Sequence, residues 1–350
     1  MKNILITLAL SLLTLSCKDK KEETPVKLEE TTVITKVNKE ELKYVVNESF
    51  PVGDVRRYGI RVEGGDPKHK VSNKNTTQTI FDLAEKENIK LFFPKGFYNF
   101  GLYLKGRQNI EITFDDASFS GPLYIIENEE KKKSSNITLK GKLTTYFKTF
   151  IRNSKEIEIE KLNIVTDVDK NSAKLRSMGC DIYVGSEDIY ISQLYIDDLG
   201  SGNESYANSR AALQVHGWNN NPKNLVIDKV HIKSSDKHGI YLTGEDHLIN
   251  KVIIDKFGTG SIKETRDLDD SKKGETQNVT GLWLNKCNNS TINSVEINTQ
   301  NSKGKYAVWL DSGITAKQSI IELLTLKGGD NKLPIYAQED TNVLVKSVEK

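Results

Sequence analysis

Beyond about residue 100 the apolar positions of this chain obey neither simple rule of periodicity. A surface helix would repeat them every ~3.6 residues, and a half-buried strand would alternate them strictly. What recurs instead is the spacing Ile-x-x-Leu-x-Ile, at Ile159/Leu162/Ile164, Ile191/Leu194/Ile196, Ile227/Val230/Ile232, Ile249/Val252/Ile254, Ile292/Val295/Ile297 and Ile321/Leu324/Leu326. Polar pairs fill the wider gap: Ser192-Gln193, Asp228-Lys229, Asn250-Lys251 and Asn293-Ser294. Such a pair reads as a corner. The chain turns there without sending a side chain inward, so the alternation of a strand slips by one residue and then resumes.

A second apolar triplet accompanies each repeat: Ile182-Tyr183-Val184, Leu213-Gln214-Val215, Ile240-Tyr241-Leu242, Leu282-Trp283-Leu284, Val308-Trp309-Leu310 and Ile335-Tyr336-Ala337. Each unit therefore offers three short strands. The shortest interval, Ile227 to Ile249, is about 22 residues, which suits one coil of a three-sided parallel β-helix. Stacked coils would hydrogen-bond at ~4.8 Å and merge their inward aliphatics into one core that no single coil can bury alone. The pattern predicts an all-β, single-domain parallel β-helix over residues 106–350, with three strands per coil. An open solenoid end exposes strand edges, and residues 47–105 are read as the N-terminal cap and first coil. Within them Thr76 to Glu87, with Ile80, Phe81, Leu83 and Ala84 on one face, predicts a short capping helix. No cap is legible after Asn342-Val343-Leu344-Val345.

Three features of this cap carry a resemblance: Gly53-Asp54-Val55-Arg56-Arg57-Tyr58-Gly59-Ile60, the helix, and Phe93-Pro94-Lys95-Gly96 with Tyr98. Together they resemble the opening of pectate-lyase-like proteins, which include bacterial glycosidases, polysaccharide lyases and phage tailspikes. The resemblance spans roughly residues 50–345. It implies a right-handed coil and a cleft between one strand face and the loops that precede it.

Composition changes little: of 350 residues 37% are hydrophobic and 28% charged, with a net charge of +2, so no basic stripe argues for nucleic acid. The N-terminus is more specific. Lys2 precedes an apolar run from Ile4 to Leu15, the pattern of a secretory signal, and residues 1–16 are read as a signal peptide. Cys17 directly follows, so the segment resembles the lipobox of bacterial lipoproteins, with Thr14 where leucine is usual. The charged run Lys18-Asp19-Lys20-Lys21-Glu22-Glu23 is similar to the export tag of Bacteroidetes surface lipoproteins. That resemblance implies lipidation of Cys17 and a membrane anchor at the outer membrane, facing the cell exterior. Residues 17–46, rich in Lys, Glu and Thr, are read as a flexible tether. Cys180 and Cys287 should lie about three coils apart, on the order of 14 Å, and stay free thiols.

Alternation assigns the outward positions of the second strands. One column reads Tyr183, Gln214, Tyr241, Trp283, Trp309 and Tyr336, and its neighbour reads Gly185, His216, Thr243, Asn285, Asp311 and Gln338. A file of aromatics beside hydrogen-bonding groups suits stacking of sugar rings, and a step of ~4.8 Å is close to one sugar length. The alternative is that loops cover the file and make it a satellite cluster. Long segments precede these strands, at Thr166–Gly179, Asp197–Arg210 and Asp255–Val279, and would wall a cleft with Lys174, Arg176 and Arg210 among others. Arginines there can hold carboxylate or sulfate in bidentate fashion.

His216, next to Trp218 and Gln214 and one coil from Tyr241 and Tyr183, is the foremost candidate for acid/base chemistry, although a plain hydrogen-bonding histidine fits as well. His238 has inward parity and reads as structural. Glycosidases place two carboxyls ~5–9.5 Å apart. Asp181 and Asp311 face outward but four coils apart, on the order of 19 Å, and cannot pair. Glu187 and Glu245 occupy equivalent turns two coils apart, roughly 9–10 Å, although Ser186-Glu187-Asp188 and Gly244-Glu245-Asp246 are also natural turn sequences. A lyase would use Gln214, Asn285 or Arg210 to neutralise a uronate and His216, Tyr241 or Lys174 to abstract a proton. The chain has neither the clustered aspartates of calcium-dependent pectate lyases nor the paired-aspartate motifs of polygalacturonases. No cofactor is expected; calcium stays open as a possible ligand, with no motif that indicates it. The expectation is a monomeric surface lipoprotein that binds and cleaves an anionic polysaccharide, as lyase or hydrolase. A non-catalytic glycan-binding or adhesive β-helix is the alternative.

Overall fold

The computed structural model describes residues 38–167, 169–171, 179–197, 211–235, 237–259, 279–300, 302, 304–311, 317–329 and 333–349. Signal peptide, Cys17 and most of the expected tether lie outside the described residues, as do Lys174, Arg176 and Arg210.

Among the described residues, twenty strands form one parallel sheet in which each strand pairs with the strand one coil away. The chain is a parallel β-helix. Two ladders build it. One stacks short strands, from Leu102–Lys105 through Gly179–Tyr183, Ala211–His216, His238–Glu245 and Thr280–Asn288 to Ile335–Ala337. The other stacks longer strands, from Gln108–Phe119 through Glu187–Asp197, Lys223–Ser234 and Leu248–Ile254 to Val343–Glu349. Each long strand bends at its polar corner and supplies two of the three sides of a coil.

The corner arithmetic is visible in burial. Along Glu187–Asp197 the buried positions are Ile189, Ile191, Leu194 and Ile196, so alternation slips at Ser192-Gln193. All six repeats pair in register: Ile159, Ile191, Ile227, Ile249, Ile292 and Ile321 form one inward column, and the other two apolar positions form two more. These columns are fully buried along most of the solenoid, where van der Waals contact and loss of apolar surface from water hold successive coils together. Outside the core, Asn250 Nδ2 donates to Asp228 Oδ1 at 3.0 Å and Asn293 Nδ2 to Asn250 Oδ1 at 2.8 Å, tying one corner to the next.

The capping helix runs Thr76–Glu87 with Ile80, Phe81, Leu83 and Ala84 buried. Its first turn is capped from outside, since the Thr77 backbone N–H donates to Asp66 Oδ1 at 3.0 Å. The folded body begins earlier than the expected tether boundary at residue 46. Residues 39–46 pack on the cap, where Glu41 is buried against Arg57 and the Tyr44 carbonyl accepts from or faces His69 Nε2 at 3.0 Å. A buried carboxylate demands a partner, and Arg57 lies within the resemblance motif, so this short segment is a working part of the cap. At the other end Val348 continues an inward column yet is 41% exposed, since Val343–Glu349 is the last rung among the described residues.

Candidate functional site

The short-strand ladder carries the site, and its register corrects one expectation. Cys180 pairs with Leu213 and Ile182 with Val215, two residues off the expected alignment. Asp181 therefore stands beside Gln214 in the column that continues as Tyr241, Trp283, Trp309 and Tyr336, and Tyr183 stands beside His216 in the neighbouring column. Outward parity survives because the slip is even. The same column extends backward through Tyr103, Tyr124 and Phe150, a part of the file that the sequence reading missed. Its signal was the same apolar-aromatic-apolar triplet, in Leu102-Tyr103-Leu104 and Leu123-Tyr124-Ile125.

The rings form one continuous file. Phe150 meets Tyr183 at 6.0 Å, Tyr183 meets His216 at 4.6 Å, and His216 meets Tyr241 at 6.3 Å between centroids. Tyr241, Trp283, Trp309 and Tyr336 follow at 4.7, 5.4 and 5.2 Å. The rings pack against one another up the file, so much of their surface is used internally. Tyr241 is only 5% exposed. Both indole N–H groups donate to one carboxylate, Trp283 Nε1 to Asp311 Oδ2 and Trp309 Nε1 to Asp311 Oδ1, each at 3.0 Å, and the Gln338 amide donates to the same group. Asp311 thus ties the file together. Asp311, Trp283 and Trp309 have their polar groups engaged within the protein, while residues 172–178, 198–210 and 260–278, in the segments expected to wall or cover the file, lie outside the described residues.

One aromatic stands apart. Trp218 is 72% exposed and has φ +60, a left-handed conformation that bulky residues rarely adopt. A tight turn imposes it: the Asn220 N–H donates to Gly217 O at 3.1 Å, and Asn220 O accepts from the Gly185 N–H at 3.0 Å. Gly217 admits this turn, since a Cβ there would lie 2.2 Å from Asn220 O. Trp218 borders two adjoining hollows. One, of about 190 Å³, is floored by His216, Tyr241, Thr243 and Asn285. The other, of about 340 Å³, is lined by Lys223, Gly244, Glu245 and Asn288. Trp218, Asn219, Asn221 and Lys286 belong to both. Asn219, Asn221, Lys223 and Lys286 went unremarked in the sequence, although Asn219-Asn220-Asn221-Pro222 is a strong turn signal.

In the smaller hollow, His216 Nε2 meets the Gln214 amide and lies 3.4 Å from Asp181 Oδ1. That Asp181 oxygen is buried and has no hydrogen-bond partner. Buried acceptors are nearly always satisfied, and amide orientation is an assignment. A His216 tautomer with its proton on Nε2 would serve Asp181 and the Gln214 carbonyl oxygen together. Nδ1 then keeps its lone pair, with the ring oriented by its neighbours. Asn285 Nδ2 donates to Tyr241 Oη at 2.8 Å, a contact that stabilises negative charge developing on that oxygen.

The carboxylate pair does not assemble as a hydrolase would need. Glu187, Lys223 and Glu245 stack in register on successive coils, with the lysine between the acids. Lys223 is hydrogen-bonded to Glu245 and holds its carboxyl below the usual range, the wrong direction for a general acid. Glu187 is half-buried, with Lys133 at 3.6 Å. His238 Nδ1 accepts from the Thr280 N–H at 2.9 Å. Among the described residues no group of three or more His, Cys, Asp or Glu side chains is placed to hold a metal ion.

Family models, curated proteins and solved structures give no match to this chain.

Proposed function

We propose that the protein binds an anionic polysaccharide in the hollows beside Trp218 and cleaves it by β-elimination, as a surface lipoprotein held by Cys17. The observation that carries the reading is His216, set against Asp181 and Gln214 in a hollow bordered by a solvent-exposed tryptophan. An exposed indole offers a face to the C–H side of a sugar ring. Elimination supports the residues present better than hydrolysis does, because it needs a base and an acid rather than two carboxyls. His216 Nδ1 takes the proton at C5 of a uronate, and the C5–H electron pair becomes the C4–C5 double bond. The C4–O4 bond breaks, and the Tyr241 hydroxyl returns a proton to the leaving oxygen. The parallel β-helix and the cap motif support a place in the pectate-lyase-like superfamily.

The test is to incubate the purified protein with pectin, alginate, carrageenan and glycosaminoglycans. New reducing ends that appear together with the ultraviolet absorbance of an unsaturated uronate are the expected result. Reducing ends without that absorbance would replace elimination by hydrolysis. Retention on a glycan without cleavage would leave the second reading, a non-catalytic binder, which Trp218 alone supports.

A further inference from the structure

The two hollows lie side by side along the strands rather than along the stack. On the strand His238–Glu245, Tyr241 and Thr243 floor the smaller hollow, and Gly244 and Glu245 continue into the larger. On Thr280–Asn288 the same order holds, with Asn285 in the first, Lys286 in both and Asn288 in the second. Strands cross a solenoid axis, so the joined groove runs across it, at right angles to the aromatic file. Its length from Tyr241 to Glu245 is at most ~13 Å at ~3.3 Å per residue, room for about three sugars of roughly one rung's length each.

Charge within the groove is unequal. Lys223 is already neutralised by Glu245. Lys286 is exposed and borders both hollows, and its ammonium has no ion-pair or hydrogen-bond partner among the described residues. It also sits at φ +51, a conformation that turns it out of the regular strand path. Gln214 and Asn285, the amides that could take a sugar carboxylate, are engaged with His216 and Tyr241.

We infer that the bound saccharide lies across the solenoid axis, along His238–Glu245, with an anionic group on Lys286 and a ring face against Trp218. The inference rests on the glycan reading above and adds to it a direction, a short site and an anion receptor. Lys286 stands beside Asn285, so the anion it holds belongs to a sugar spanning the junction of the hollows. For elimination, that contact would also withdraw charge from the carboxylate and ease removal of the C5 proton.

The test titrates 1→4-linked uronate oligomers of increasing length, from polygalacturonate and alginate, against tryptophan fluorescence. For wild type, affinity should rise up to about three or four sugars and then level off. Lys286→Ala should weaken binding about tenfold, as expected for loss of one charge-assisted contact, and Lys286→Arg should restore it. Added salt should weaken wild type more than Lys286→Ala. Trp218→Phe should lose most of the fluorescence change while still binding. Affinity that keeps rising to eight sugars would overturn the inference in favour of a chain along the file and leave the glycan reading intact. So would a Lys286→Ala variant that binds like wild type, or equal binding of neutral oligomers. Absence of binding to every acidic oligomer and polymer, by wild type that is folded, would overturn both.

Discussion

Asp311 accepts from two indole N–H groups and one amide, and its backbone carbonyl accepts from Thr341 Oγ1 at 3.0 Å. Removing the carboxylate leaves three donors without their acceptor, so Asp311→Ala should lower stability by about 2 kcal/mol, read as a shifted urea midpoint. His216 has a different weight. As general base its loss should reduce turnover by roughly 10²–10⁴-fold on whichever polymer the wild type cleaves. His247 carries a pH effect. It is buried, accepts from the Leu225 N–H at Nδ1 and meets Thr243 O through Nε2, and burial pushes its pKa down to about 4. The unfolded chain, with an ordinary histidine near 6.5, binds the proton first as pH falls. The stabilisation is therefore complete above about pH 6.5 and is lost progressively toward pH 4, by about 3 kcal/mol for this group alone. Urea midpoints across that window should show the slope, and His247→Asn should flatten it.

At the scale of the element the corner decides everything. Asn250-Lys251 lets Ile249 and Val252 both face inward, and its neighbours on adjacent coils are tied to it by hydrogen bonds of the Asn250 side-chain amide. Deleting Lys251 leaves one residue for a two-residue corner: the corner then takes in Val252, which puts Ile253 at the next inward position and turns Ile254 toward solvent. The expected outcome is loss of the cooperative unfolding transition, checked by circular dichroism on heating. A change within the column is milder. Ile227→Ala keeps the register but leaves a cavity between Ile191 and Ile249, and should lower stability by about 2–5 kcal/mol.

Across the whole molecule the stack of coils sets which residues meet. Cys180 and Cys287 are both free and buried, three rungs apart on the short-strand ladder, and burial raises the Cys180 thiol pKa and lifts that of Cys287 to about 11. A thiol reagent should leave both untouched in the native protein and find both in denaturant without reductant. The Ile-x-x-Leu-x-Ile spacing, the corners and the Thr76–Glu87 helix were all legible in the chain, because burial in a repeating coil imposes one local pattern again and again. Residues such as Tyr241, Trp283 and Trp309 could be assigned an outward face on parity alone. The sequence could not settle lateral register at Asp181 and Tyr183, since a shift of two residues preserves parity and leaves no mark on the pattern. Nor could it show that Asp311 is saturated, that Lys223 separates Glu187 from Glu245, or that Trp218 and Lys286 share two hollows. Those are relations between coils, decided when strands far apart in the chain stack. Periodicity within one strand determines which way a side chain points; only the packed solenoid determines what it points at.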